Sequence, residues 1–316
     1  MRIAITKGRT SKSSVLLLLA GISLMLAGNF SYAENFENGF EAYERGDFST
    51  AMRIFRLFAE QGDQEAQHNL GSMYLWGQGI AQDYKEAIRW KRMSAAQGNQ
   101  FSQFDLGTMY RRGQGVPQDY KEAVKWYRMS AEQGNPEAAS DLGAMYFMGQ
   151  GVPQDYKEAV KWYRKSAEQG VSEAQYNLGL IYDYGHGVPQ NYKEAVKWYR
   201  MSAEQGVSEA QLNLGLIYDY GHGVPQDYKE AVKWYRKSAE QGNPSAQSNL
   251  GFMYLTGTAV AQDNVYAHMW WSIAASSGET TAATNRDKVV EEMTKDQIAE
   301  AQRLARECVK KDYKDC

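Results

Sequence analysis

Few residues in this chain are of the types that do chemistry, and their spacing limits what each could do. His186 and His222 occupy matching positions 36 residues apart, each after Asp-Tyr-Gly. A shared metal would need the two side chains to converge, because packed helical repeats set equivalent residues roughly 10 Å apart; duplicated loop residues are the alternative. Asp183 and Asp219 share that spacing. Neighbouring carboxylates of this kind bind a cation or basic peptide, or stay solvated. Cys308 and Cys316 are the only cysteines. In an oxidising compartment they can close a short loop behind the last helix; free thiols or a bond to another molecule are the alternatives, and no metal is expected. The stretch 149–154, Gly-Gln-Gly-Val-Pro-Gln, starts like a dinucleotide loop but lacks the third Gly and any βαβ pattern. Beyond residue 33 there is no Ser-x-x-Lys, Gly-x-Ser-x-Gly or His-Glu-x-x-His. No catalytic residue, metal or cofactor is therefore assigned, and the chain is not expected to be an enzyme.

Composition narrows the partner. The formal charge is −3, and residues 1–33 hold four bases (Arg2, Lys7, Arg9, Lys12) and no acid, so the rest carries −7. A net-acidic chain without basic runs is a poor nucleic-acid binder, since phosphate neutralisation supplies much of that affinity. Residues 1–33 read as a secretory signal peptide: a basic start, an apolar run from Val15 to Gly28, then Ser31-Tyr32-Ala33 with cleavage expected after Ala33. The run is short for a membrane span, and a retained anchor is the alternative. The mature protein is expected to be a periplasmic or secreted monomer with no further membrane segment.

The elements that position these residues repeat. Gly71, Gly107, Gly143, Gly179, Gly215 and Gly251 lie 36 apart, as do Trp90, Trp126, Trp162, Trp198, Trp234 and Trp270. Segments 171–206 and 207–242 differ only at Tyr176/Leu212, Asn191/Asp227 and Met201/Lys237. Such a period is the mark of a stacked repeat array. Each unit spells two helices. Helix A is expected to open at Asp63, Asn99, Asn135, Ser172, Ser208 or Asn243, and to stop at a Gly suited to the left-handed position, Gly77 and its copies. Helix B opens at Asp-Tyr-Lys-Glu, a capping-box pattern. Gly71 and its copies inside helix A each cost about 1 kcal/mol against Ala; close approach of helix B at an Ala such as Ala123 or Ala159 is the simplest reason. The Trp stripe could serve as a sugar-stacking platform, but its spacing matches the buried face, so it is expected in the core.

Three stretches recur: Ala-Gln-x-Asn-Leu-Gly-x-x-Tyr, Gly-x-Gly-Val-Pro-Gln-Asp and Ala-Val-Lys-Trp-Tyr-x-x-Ala-x-x-Gly. In them the chain resembles Sel-one-like repeats, relatives of tetratricopeptide repeats and often exported in bacteria. The resemblance implies an all-α fold, a right-handed α-solenoid of helix–turn–helix repeats. It divides the chain into the signal peptide (1–33), an N-terminal tetratricopeptide-like unit (34–62), six repeats (63–278) and C-terminal capping helices and tail (279–316). Some Cys-rich relatives are described as β-lactamases or penicillin binders; the Cys pair of each repeat is missing here, so that activity does not transfer.

The resemblance also implies a concave face lined by helix A that takes a protein or peptide. On that face fall Asn69, Asp105, Asp141, Asn177, Asn213 and Asn249, whose amides or carboxylates could bond a peptide main chain or tie repeats together. A second row is His68, Phe104, Ser140, Tyr176, Leu212 and Ser248. A third holds Trp76, Arg112, Met148, Tyr184, Tyr220 and Thr256, with Leu75, Arg111, Phe147, Asp183 and Asp219 beside it. Aromatic, Met and Arg residues suit interface hot spots. The expected function is an exported scaffold binding a protein or peptide partner. The alternatives are a peptidoglycan or glycan binder of the envelope and, further off, a hydrolase acting on β-lactams.

Overall fold

A computed structural model describes residues 36–316, and the proposed signal peptide lies outside them. Every regular element among the described residues is helical. The chain divides into two compact units, the first ending at Trp126 and the second running from Tyr127 to Cys316. The first unit holds α1 (Phe36–Glu44), α2 (Phe48–Glu60), α3 (Gln64–Trp76), α4 (Tyr84–Ala96) and α5 (Gln100–Arg112). The division falls within α6 (Tyr120–Glu132). The second unit continues with α7 (Pro136–Met148), α8 (Tyr156–Ala167), α9 (Ser172–Tyr184), α10 (Tyr192–Glu204), α11 (Ser208–Tyr220), α12 (Tyr228–Ala239), α13 (Pro244–Thr256) and α14 (Asn264–Ser276). It closes with α15 (Thr280–Val289), one 3-10 turn and α16 (Lys295–Lys310). Within each unit successive helix pairs stack in chain order, the packing of an α-solenoid. Helices of 9 to 16 residues are marginal alone, so stacking supplies their stability.

The helix ends show how repetition fixes them. Asp63, Asn99, Asn135 and Asn243 cap helix A by accepting the amide three residues on. Ser172 and Ser208 do not cap: they are the first helical residues, and the periodic cap position holds Val171 and Val207, which offer no side-chain acceptor. Helix A stops at glycines with φ of 67° to 73°, where an L side chain would be strained. Helix B is capped by Asp, but only half of the expected box forms. Asp83, Asp155 and Asp227 accept two amides each. Their own N–H groups go instead to the Tyr74, Tyr146 and Tyr218 carbonyls of helix A. The Glu of the motif is thereby released to pair with Lys or Arg three residues on, as Glu158 does with Lys161.

Two polar ladders join neighbouring repeats. Gln67, Gln103, Gln175, Gln211 and Gln247 donate to the carbonyls of Ala59, Ala95, Ala167, Ala203 and Ala239 at the preceding helix end. Arg56 and Arg236 donate to the hydroxyls of Tyr74 and Tyr254 at 2.9 Å, and Arg92, Arg128, Arg164 and Arg200 repeat the contact one unit along each time. Five of the six repeated tryptophans are core: Trp90, Trp162, Trp198, Trp234 and Trp270 are 0–6% exposed, and Trp126 is half-buried. Lys or Arg lies over the rings of Trp90, Trp126, Trp162, Trp198 and Trp234, so the stripe offers no open row of faces for a sugar.

The glycines inside helix A meet a residue other than the expected Ala. A Cβ on Gly143, Gly179 or Gly215 would face the ring of Tyr163, Tyr199 or Tyr235, on Gly71 the Lys91 chain, and on Gly251 the Trp271 indole. These residues follow the repeated Trp position. Ala123 and Ala159 are fully buried but do not set the approach.

The last repeat breaks its own loop rule. Ala259 has φ of 60°, where the other repeats place Gly79, Gly115, Gly187 and Gly223. Ala259→Gly removes that strain and is expected to stabilise the protein by about 1 kcal/mol, visible as a raised urea midpoint.

At the C-terminus Thr294 and Gln297 form a reciprocal capping box that starts α16. Cys308 is bonded to Cys316, with their Cα atoms 5.5 Å apart. The loop they close brings the Tyr313 ring against Gly242 and the Lys314 ammonium to the Glu240 carbonyl at 3.0 Å. Reducing this bond is expected to cost about 2.5 kcal/mol in the chain-entropy model for so short a loop. Melting with and without reductant, against a Cys308→Ser control, measures it.

Candidate functional site

In the second unit, α9 and α11 end on Tyr184 and Tyr220, which are 66% and 65% exposed. Rings this open are unusual here, since among the other described aromatics Trp76, Tyr228 and Phe252 alone are exposed, and each is held in place. His186 stacks on Tyr184 at 6.0 Å and on Tyr156 at 5.3 Å. His222 stacks on Tyr220 at 5.7 Å and on Tyr192 at 4.9 Å. Each His is thus the middle of a Tyr–His–Tyr stack joining helix B of one repeat to helix A of the next. The two His sit in separate stacks, and among the described residues no group of His, Cys, Asp or Glu forms a metal site.

Beneath the tyrosines lie the paired carboxylates. Tyr199 donates to Asp183 Oδ2 and Tyr235 to Asp219 Oδ2, both at 3.0 Å. Burial, with the carboxylate beside it, pushes each phenol far above its ordinary range, so each stays a donor. Burial also raises the Asp183 carboxyl, against the lowering effects of the Tyr199 hydrogen bond and of His222 from the next repeat. Asp219 is likewise raised by burial and lowered by Tyr235. Asp183, Tyr184, Tyr192, Asn213, Tyr220 and His222 line one cleft of about 260 Å3.

The first unit holds a different cluster. The Lys91 ammonium, fully buried, lies 2.5 Å from Asp105 Oδ2, 2.6 Å from Ser72 Oγ and 3.0 Å from His68 Nδ1. The ammonium thus meets one carboxylate, one hydroxyl and one imidazole nitrogen, and the same His68 Nδ1 lies 2.9 Å from Ser102 Oγ. Burial first, then the Lys91 charge, holds the His68 pKa well below its ordinary value; its 3.9 Å approach to Asp105 is therefore not an ion pair. Burial lowers the Lys91 pKa while Asp105 opposes that shift. Ser72 beside Lys91 has the residue types of a nucleophile and its base, but both are buried, so this pair is packing. It escapes a motif search because the two are 19 residues apart in sequence.

A model of the Sel1 repeat matches seven consecutive segments, residues 26–63, 64–99, 100–135, 136–171, 172–207, 208–243 and 244–279. The chain belongs to the Sel1-repeat family. Among solved structures, it is similar to a Sel1 repeat protein from Oxalobacter formigenes at 36% identity, covering 77% of this chain and all of that one, with a TM-score of 0.68. It is also similar to a protective antigen present in uropathogenic Escherichia coli strains that displays an SLR fold, at 30% identity, covering 88% of this chain and 77% of that one, with a TM-score of 0.39. No curated protein matches the chain.

The Sel1 repeats place the sequence-selected rows unevenly. Asn69 is 1% exposed and His68 and Leu75 are buried, so of the first repeat's members Trp76 alone, 50% exposed, reaches the surface. Asp105 is taken by Lys91. In the same unit Phe104 and Arg111 are half-buried and Arg112 is exposed. In the second unit Asn177, Asn213 and Asn249 are half-buried; Asn213 bonds Tyr176 and Tyr199, so this amide ties side chains together. Tyr184, Tyr220, Met148 and Thr256 are the open members. Phe252, 54% exposed on α13, was not singled out in the sequence, although its place after the repeated Gly251 puts it among residues that vary between repeats.

Proposed function

We propose that this Sel1-repeat protein is an exported scaffold that binds a protein or peptide partner on the helix-A face of residues 136–256, without chemistry of its own. The observation that carries this reading is the pair of exposed, His-stacked tyrosines, Tyr184 and Tyr220, over a shared cleft. Rigid, exposed aromatics lose little entropy on binding and are typical interface anchors. The family supports it too, as helix-pair repeats build extended binding surfaces. No described helix is long and apolar enough to cross a membrane. Export rests on the leader-like residues 1–33, and the intact mass of the protein made in a bacterial host tests cleavage after Ala33.

Partners are captured by crosslinking in cells followed by mass spectrometry. Replacing Tyr184 and Tyr220 together with Ala is then expected to weaken the captured partner by about 2–4 kcal/mol, with helicity unchanged. An unaltered affinity would exclude this face.

A further inference from the structure

From α7 to α13 the Lys and Arg residues are confined to the B helices, which also carry Glu158, Glu194, Glu204 and Glu230, while the charged residues of the A helices are all acidic. The A helices α7, α9, α11 and α13 hold Glu137, Asp141, Glu173, Asp183, Glu209 and Asp219, and no Lys, Arg or His. The B helices between them carry the basic residues, as in Lys157, Lys161, Arg164 and Lys165 of α8. The cleft between α9 and α11 follows that pattern, with Asp183 among its lining and no Lys or Arg.

We infer that this cleft takes a Lys or Arg side chain of a basic segment in the bound protein, with the aromatic faces around it and the Asp183 carboxylate as counter-charge. The inference rests on the reading of the helix-A face as the docking surface. Three features point to a cation. The faces of Tyr rings carry negative potential, and Tyr184, Tyr192 and Tyr220 all line the cleft. The stacking of Tyr184 on His186 and Tyr220 on His222 fixes both rings before anything binds, which lowers the ordering cost. Asp183 is half-buried, its hydrogen bond comes from a neutral phenol, and the cationic influence on it is that of the His222 imidazole, smaller than the effects of burial and of the Tyr199 hydrogen bond. A neutral ring or sugar could stack on the tyrosines but would bury that carboxylate further with only the His222 imidazole to offset it, which is costly. Burial already holds the Asp183 carboxyl above its ordinary value, and an entering cation reverses that penalty. Arg or Lys meets both demands at once.

The test is selection of a phage-displayed random-peptide library on the purified protein, followed by affinity measurements with the selected peptides. Lys- or Arg-rich peptides are expected. Their binding should fall about tenfold on Asp183→Asn, on Tyr184→Leu, or when the peptide Arg is replaced by uncharged citrulline, while Tyr184→Phe retains it. Asp183→Asn keeps an acceptor for Tyr199, so unchanged melting is the folding control. Binders without basic residues that still depend on Tyr184 would leave the docking face standing and overturn the cation. Basic binders indifferent to Asp183 would overturn it as well. If no binder depends on Tyr184 or Tyr220, both the face and the cation fall.

Discussion

Asp105→Ala is expected to destabilise the first unit by about 3–5 kcal/mol, the cost of leaving a buried charge without its partner. Lys91 has no solvent to fall back on: its side chain is fully buried and Asp105 is the one anion it meets, at 2.5 Å. Ser72 accepts a second proton and His68 lies beside the ammonium, but neither brings a negative charge. The pair itself is replaceable. The same two positions in later repeats are Tyr199 and Asn213, which bond each other without charge. Lys91→Tyr combined with Asp105→Asn is therefore expected to recover most of the loss, since neutral replacements of buried ion pairs are often neutral or stabilising. Urea unfolding, with hydrogen exchange across α3 to α5, reads both. A double variant as unstable as Asp105→Ala alone would show that the cluster has a role that packing does not explain.

The same cluster sets a pH dependence. His68 is neutral and buried, with its pKa well below the ordinary 6.5. The unfolded chain therefore takes up a proton near pH 6.5 that the folded chain refuses. Stability is fully present above that value and falls as pH drops below it, by about 1.4 kcal/mol per unit until the folded pKa is reached. His68→Gln should flatten that part of the curve.

How much of this could be read from sequence differs by kind of residue. The period, the two helices per unit, the Gly stops and the buried Trp stripe follow from local rules repeated six times, and the repetition averages out accidents of any one copy. The caps show the limit. Ser172 and Ser208 have better cap chemistry than Val171 and Val207, yet the stacking of whole repeats fixes where the helix begins and overrides a preference worth about 1 kcal/mol. The candidate face was legible as a set of rows but not as a surface. Whether Asn69 is buried while Tyr184 is open depends on what the neighbouring repeat places opposite, and Lys91 and Asp105 meet only after folding. The Tyr–His–Tyr stacks were hidden for the same reason, since Tyr192 and His222 are 30 residues apart and belong to different repeats. A search for residues exchanged between repeats at one periodic position, Lys91 against Tyr199 for example, would have flagged the cluster.

The glycines inside helix A give the second large effect. Gly179→Ala combined with Gly215→Ala is expected to cost about 1–3 kcal/mol per site, roughly 4 in total, by overpacking. A Cβ at Gly179 would stand 2.5 Å and 2.7 Å from two ring atoms of Tyr199, and at Gly215 2.6 Å from two of Tyr235. Neither ring can slide away, because both are buried and their hydroxyls are anchored on Asp183 and Asp219. Helix propensity pulls the other way by about 1 kcal/mol per site, too little to offset contacts that close. Gly71→Ala is the internal control. There the nearest atoms are methylenes of Lys91 at 3.1 Å, which need give by only a few tenths of an ångström although the ammonium is held by Asp105, so a smaller loss than at Gly179 or Gly215 is expected. A double-mutant cycle of Gly179→Ala with Tyr199→Leu isolates the contact: a coupling of about 1 kcal/mol or more is expected for touching groups. Additive losses would mean that the conserved spacing of helix A and helix B is set elsewhere than at this ring.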